Sequence, residues 1–585
     1  MMPPILKTPE KDPSCALALF CIMTPSLPLP FFSCSSQMAS SEYQPYTQSD
    51  PLTHSLEGPP ARTLSRLQGP RADLDLAFKW LLDCKTNHPS CRNAARYPPP
   101  SRLLHVRSNS EDSEPVVRLV ETEMFDAPFA ALSHRWGTRQ PLRTTQSNYE
   151  KHLKEIPFDD LPKTFQDATL LVKRFGIKYL WIDSLCIIQD SVLDWESECP
   201  RMAGVYSNAL FTIAAANASD SSKGFLGDFE SSTRCDLGDG FMIRHIPNDT
   251  EWSLLDELLL DDEPCLLSNR GWVLQERLLS QRVLSFKAGR LQWQCNTHYR
   301  SDDILRPYQP AVGFSGATKR AITDHEDRAS GYSYWQRIIE NYSGCYLTHP
   351  QDKLPALSSL AFEFIKNEKD DYLAGLWKGD MPFSLCWKAQ PEPKDKGQEL
   401  PQSSISDYRA PSWSWASCNH RVSYDHLRRN SWNLDLEILY GDTVLHGLNQ
   451  FGRVDGGELV AYARIATIQV VGYTLKTNKS GASTPIGDLE FDSPELALEH
   501  LQMDMRITVL LVVSCDYTLE RGLLREISTK EHHTVNVSRM WRGLIVDNVE
   551  NEEGEDVYRR LGLVDSMDCL REAWFDCERR VVKLI

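Results

Sequence analysis

Two short runs constrain this chain more than anything else in it. Ala130-Ala131-Leu132 breaks into Ser133-His134-Arg135-Trp136-Gly137, and about forty residues later Tyr179-Leu180-Trp181-Ile182 breaks into Asp183-Ser184. An unbroken apolar run that ends in polar side chains is the pattern of a strand buried on both faces, as in a parallel sheet. In open α/β sheets, ligands sit at the carboxyl ends of such strands. Ser133, His134, Asp183 and Ser184 fall there.

The intervening sequence supplies a crossover. Asp159, Asp160 and Pro162 signal a helix start, Phe165, Ala168, Val172 and Phe175 follow at helical spacing, and Gly176 is a good stop. After Asp183 the pattern repeats. Asp190 and Ser191 can cap a segment in which Val192, Trp195, Cys199, Met202 and Tyr206 recur every three or four residues, and Ala209 to Ala215 forms a third apolar run. Strand, helix, strand, helix, strand reads as a parallel sheet with right-handed crossovers. Pro200 interrupts the second helix, so that helix either kinks or ends and restarts, and both outcomes re-aim Glu198.

These blocks resemble the fungal heterokaryon incompatibility (HET) domain. The resemblance is carried by Leu-Ser-His-x-Trp-Gly, Leu161-Pro162 with Asp167-Ala168, Tyr179 to Ile187 with Gln189-Asp190, Asp194-Trp195 with Glu198, Met202, Tyr206 and Ala209, and Arg270-Gly271-Trp272-Val273-Leu274-Gln275-Glu276-Arg277. It spans roughly 126 to 296. Tyr408 to Trp415 looks like a downstream region common in these proteins. The resemblance implies an α/β, parallel-sheet domain of Toll/interleukin-receptor (TIR)-like or flavodoxin-like type, and a role in nonself recognition and regulated cell death in the cytoplasm. Some TIR proteins cleave NAD with a glutamate, so the resemblance also implies an NAD glycohydrolase, by fold analogy alone.

Composition bounds the alternatives. The chain has 585 residues, 41% of them hydrophobic and 24% charged, which is ordinary for a globular protein of several domains. A net charge of −17 without any Lys/Arg-rich run argues against nucleic acid. The apolar stretch Cys15 to Met23 is too short to span a bilayer, and Lys7 and Lys11 are offset by Glu10 and Asp12, unlike a signal peptide. The 16 cysteines are scattered in apolar runs, as reduced buried thiols would be. Cys84, His88 and Cys91 have metal-ligand character, but no second half-site follows nearby, and the expectation is a packed helix end without a metal.

Five segments follow: residues 1–68 disordered, with Met38 an alternative start; 69–125 a helix and strand leading into the core; 126–300 the HET domain; 301–400 helical; and 401–585 β-rich, a sandwich or partial barrel. Within them, Arg282 to Phe286 and Leu291 to Cys295 read as a hairpin through Gly289, and the acid-rich Asn548 to Asp556 as a solvated loop.

The sequence has no phosphate-binding loop, dinucleotide fingerprint, His-Glu-x-x-His or Gly-x-Ser-x-Gly. What remains is the strand-end cluster. Ser133, His134, Arg135, Trp136 and Asp183 are the candidates for binding a nucleotide: Arg135 for phosphate, Trp136 for ring stacking, Asp183 for ribose. Glu198 is the candidate catalytic carboxylate, supporting positive charge as a glycosidic bond breaks. Each has a plainer reading. Asp183 caps the next segment, Glu198 is an exposed helix residue pairing with Arg201, and Trp136, Trp181 and Trp195 are core. Gln275 and Glu276 stand in a conspicuous block, but Trp272, Leu278 and Leu279 beside them suggest docking onto the core. NAD would be a substrate, with no resident cofactor, and the partners would be further copies of the chain or an incompatibility protein. The competing function is a non-enzymatic self-association module whose polar cluster is structural.

Overall fold

The computed structural model describes residues 74 to 226, 267 to 302, 327 to 390 and 408 to 585, with omissions inside those stretches, together with residues 17–18, 234–238 and 241–245. Leu17–Ala18, within the segment expected to be disordered, form a short strand paired antiparallel with Arg244 and His245; the rest of 1–68, the polar stretch around 303–326 and most of the acid-rich run after Asn548 lie outside the described residues.

The expected parallel unit forms. Strands β3 (Phe129–Ser133), β4 (Tyr179–Trp181) and β5 (Phe211–Ala214) pair in parallel, with β3 between the other two. Five consecutive residues of β3 and all four of β5 are buried, which is why both read as unbroken apolar runs. Helix α2 (Lys163–Arg174) makes the first crossover and lays Phe165, Ala168, Leu171 and Val172 in the core. Gly176 turns the chain with a φ of 69°, a left-handed conformation that glycine adopts without cost from a Cβ. A short turn, α3 (Asp183–Cys186), and helices α4 (Val192–Glu198) and α5 (Met202–Asn208) make the second crossover. Ser191 caps α4 by accepting from the Asp194 amide. Between α4 and α5, residues Cys199–Arg201 form a tight 3-10 turn that contains Pro200, so the helix ends and restarts there.

The sheet is larger than the sequence suggests. Helix α6 (Gly271–Leu279) leads into β6 (Arg282–Lys287), which joins β5 in parallel; β7 (Arg290–Cys295) and β8 (Tyr299–Ser301) extend that edge antiparallel, including the expected hairpin. On the other edge β1 (Arg102–Arg107) pairs antiparallel with β4, and β2 (Val116–Glu121) with β1. The strand order is β8-β7-β6-β5-β3-β4-β1-β2. Residues 102–121, read as leading into the core, are therefore part of its sheet. The first crossover runs from β3 out to β4 and the second returns from β4 past β3 to β5, so the direction of winding reverses and the carboxyl ends of β3 and β5 flank a switch point, the place where such sheets open a crevice.

Helices α1 (Leu74–Asn87), α7 (Arg328–Ser343) and α8 (Ser358–Glu368) form at or near the expected positions. The β-rich region contains a closed ring of five strands: β10 (Val454–Val471), β11 (Met505–Glu520), β12 (Ser538–Asn548), β13 (Val557–Met567) and β14 (Arg579–Leu584), with β14 returning to β10 and β10 also pairing β11. A further strand, β9 (Glu437–Leu445), pairs outside the ring with β10. Closure removes edges that would otherwise invite association. Trp413 and Trp415 of the downstream block are fully buried, and Ser412 donates its amide to the terminal Ile585 carbonyl at 3.2 Å.

Candidate functional site

The carboxyl ends of β3 and β4 hold a compact polar cluster. Ser133 is the last residue of β3, and both it and His134 are 3% exposed. The chain then turns at Gly137, whose φ is 82° and where an added Cβ would stand 2.3 Å from Asp220 Cβ, so only glycine fits. His134 Nδ1 lies 3.8 Å from Asp183 Oδ1, and its ring packs edge-on against Phe165 with centroids 5.0 Å apart. Asp183 serves two neighbours. Its Oδ1 accepts from the Ser184 amide at 2.7 Å and its Oδ2 from Trp136 Nε1 at 2.8 Å. Asp183 is the first residue of the turn α3, whose N-cap position is Ile182, so it does not cap that segment; its carboxylate instead fixes Trp136, half-buried, at the rim. Arg135 is also half-buried; its carbonyl accepts from Ser221 Oγ at 3.0 Å.

Glu198 goes elsewhere. It is buried, not exposed, and its charge acts on Arg102 and Cys186. Arg201, the partner expected for it, instead donates to Ser101 Oγ at 2.9 Å. Arg102 is occupied by both oxygens of Asp194 (2.7 and 2.5 Å) and by the Cys186 carbonyl (2.7 Å). The 3-10 turn at Pro200 follows immediately on Glu198. Glu198 is absent from the groups that set the protonation of His134.

The carboxylate that does face the cluster is Glu276, on α6. Burial pushes it up to about 7, against the Arg270 guanidinium, which favours its ionised form. The hydroxyls of Ser133 and Tyr206 are near enough to favour ionisation too, although Ser133 Oγ and Glu276 Oε2 do not meet hydrogen-bond geometry with any described group. Burial likewise pushes Tyr206 well above its usual range, with Glu276 and Asp183 adding to the effect. His134 is pulled down to about 4 by burial; Asp183 opposes this and Arg270 adds to it. Arg270 also donates to the His134 carbonyl, tying the start of α6 to the end of β3. Burial therefore favours the neutral imidazole of His134 and the acid form of Glu276.

Three atoms of this cluster are buried without a partner: Ser133 Oγ, His134 Nε2 and Glu276 Oε2; both polar atoms of the adjacent, fully buried Gln275 are also unpaired. An unpaired buried polar atom costs about 1–3 kcal/mol, and such atoms are rare in folded proteins. Ser133, His134, Gln275 and Glu276 thus bring their unpaired atoms together where β3 ends and α6 begins. Trp181 is core, 1% exposed, with its ring edge-on to Tyr206 at 5.7 Å. Trp195 is half-buried below Arg453. The docking of α6 read from Trp272 and Leu278 is real, but it carries Glu276 into the cluster as well. The signal for this was two adjacent polar residues on the buried face of an apolar helix.

A second group of donors was only partly legible. Cys84, His88 and Cys91 at the end of α1 do find a further half-site: Cys295, at the end of β7, brings four ligand atoms within 4.8 Å of one another.

Among the described residues no helix is long and apolar enough to cross a membrane. Residues 129–276, which bracket β3 through Glu276, match the family model for heterokaryon incompatibility protein (HET). No curated protein and no solved structure matches the chain.

Proposed function

We propose that this HET domain-containing protein, whose domain places it with heterokaryon incompatibility proteins, is an effector of fungal nonself recognition and regulated cell death. In this reading its α/β domain is TIR-like in activity and hydrolyses NAD at the carboxyl end of β3, with Glu276 rather than Glu198 as the carboxylate at the breaking bond. The observation that carries it is the set of unpaired buried atoms, Ser133 Oγ, His134 Nε2 and Glu276 Oε2, at the switch point. Ionised Glu276 would stabilise positive charge on the ribose as nicotinamide leaves. Water then takes the anomeric carbon, giving ADP-ribose, nicotinamide and a proton. Trp136, held at the rim by Asp183, offers a stacking face for a base.

One observation favours a second reading, a self-associating module without catalysis. Ser133, His134 and Tyr206 are at most 3% exposed, so substrate must open the cluster to enter. NAD consumption by the full chain at high protein concentration separates the two readings. Turnover that falls about a hundredfold or more in Glu276→Gln, and stays within a few-fold in Glu198→Gln, supports catalysis at Glu276. Absence of turnover in wild type, with assembly visible by light scattering, supports the module. Turnover lost in Glu198→Gln and retained in Glu276→Gln would return the role to Glu198.

A further inference from the structure

The thiol and imidazole cluster lies apart from the strand-end site and has its own logic. Cys84 is on the last turns of α1 and His88 is four residues on, the spacing that stacks two side chains on one helix face. The His88 amide donates to the Cys84 carbonyl at 3.3 Å and the Cys91 amide to the His88 carbonyl at 3.0 Å, so a continuous turn presents all three side chains together. The fourth donor comes from the far end of the domain. Cys295 closes β7 in a tight turn, its amide donating to the His298 carbonyl at 2.9 Å while the His298 amide donates to Cys295 Sγ at 3.3 Å. All four side chains are buried.

We propose that Cys84, His88, Cys91 and Cys295 bind one zinc ion in a closed structural site that staples α1 to the β6–β7 hairpin at the sheet edge.

Four observations support this assignment. Three thiolates and one imidazole make a full tetrahedral shell, with no position left for substrate, as structural zinc sites have. Zinc–ligand bonds near 2.0–2.3 Å put tetrahedral donors about 3.4–3.8 Å apart. Cys295 Sγ and His88 Nδ1 are at 3.4 Å already, and the whole set is within 4.8 Å. The surroundings suit a bound cluster of net negative charge. Arg282 is 5% exposed, and its acceptors are Cys84 Sγ at 3.2 Å and the oxygens of Cys91, Leu210 and Gln281, none of them a carboxylate. A buried guanidinium needs an anion, and zinc-held thiolates supply one. Thr297 Oγ1, 3.7 Å from Cys91 Sγ, and the His298 amide are placed to donate to sulfur. Finally, His88 turns Nδ1 to Cys295 and Nε2 towards Asp83, whose carboxylate lies 4.0 Å away and is itself held by Arg300. A carboxylate behind the imidazole is the usual orienting partner of a zinc-bound histidine. Binding displaces the protons of the three thiols, and no electron is transferred.

Metal analysis of the full chain, purified under reducing conditions from zinc-supplemented cells, tests this. About one zinc per chain, retained on dialysis and released by an organomercurial, is the expected result. Cobalt exchanged into the site should give the visible ligand-field and sulfur charge-transfer bands of a tetrahedral thiolate centre. Cys295→Ser should lose zinc at least tenfold more readily. His88→Cys keeps four ligands and should retain zinc and shift the cobalt bands, so it tests the assignment even if Cys295→Ser fails to fold. Folded protein without zinc and without cobalt bands on reconstitution would overturn the proposal. So would a disulfide among Cys84, Cys91 and Cys295 in the intact mass, or iron or copper in place of zinc.

Discussion

Beyond residue 327, buried Asp380 accepts from Arg429 through both oxygens (2.7 and 2.9 Å), from Gln336 at 3.0 Å and from Ser384 at 2.6 Å. Arg560 similarly grips Asp492 at 2.9 and 3.1 Å, donates to the Leu385 and Trp387 carbonyls, and lies 3.5 Å from the Trp387 ring centroid. At the ends of β3 and β4, Glu276, His134 and Ser133 are buried as deeply, yet each keeps an unpaired atom. Burial raises the carboxylates in both regions. The difference is in the pairing of these particular groups, since beyond residue 327 Trp377 and Trp413 also keep unpaired indole nitrogens. A complete set of partners makes a buried charge part of the scaffold, whereas an incomplete set stores a cost that a ligand can relieve.

The comparison can be tested by breaking it. The largest effect is expected at the paired region. Arg560→Ala leaves Asp492 uncompensated and should cost about 3–5 kcal/mol in chemical denaturation. A loss below about 1 kcal/mol would place Arg560 with the unpaired groups instead.

At the strand ends the sign reverses. The Glu276 pKa is raised from 4.5 to about 7, so the folded state favours its acid form. The stability it contributes is complete below pH 4.5 and is lost as pH rises through 7. Glu276→Gln should therefore match wild type at pH 4.5 and exceed it by up to roughly 3 kcal/mol above pH 7. If denaturation curves show the variant weaker at pH 7.5, the carboxylate is paired after all. His134, lowered from 6.5 to about 4, acts oppositely: its contribution is present above pH 6.5 and is lost as pH falls through 4. In wild type the two should nearly cancel between pH 4.5 and 6.5, and His134→Gln should unmask the Glu276 slope there.

A smaller change is expected at the rim. Asp183→Asn weakens the acceptor for Trp136 Nε1 and the Ser184 amide and should cost about 1–2 kcal/mol. Greater acrylamide quenching of the variant, with the increase absent in a Trp136→Phe background, would report the release of Trp136 among the 15 tryptophans. At the bottom of the scale, Arg174→Ala removes a 2.8 Å pair with Asp75 whose side chains are 58% and 69% exposed. Its melting temperature should be unchanged within the effect of about 0.5 kcal/mol.

Much of the α/β domain was legible because its signals are local. β3 and β5 announce themselves as apolar runs, α2 through the spacing of Phe165, Ala168 and Val172, and the hairpin through two runs around Gly289. The placement of Ser133, His134 and Asp183 at strand ends followed from the same runs. The placement of Glu198 did not, because a helix interrupted after one more residue points its side chains by packing, here toward the environment of Arg102.

By itself, then, the sequence determined the strands and helices of the central α/β unit, that three strands run parallel, and which polar groups stand where they end, but not the outer strands β2 and β8. Periodicity and steric preference act within a few residues, and a single chain carries that information openly. Only the tertiary structure decided that α6 returns to the end of β3 with Glu276 and Arg270, and that Cys295 meets Cys84, His88 and Cys91. Those meetings depend on strand order across an eight-stranded sheet, which is set by the collective burial of apolar faces and leaves no mark at any one position.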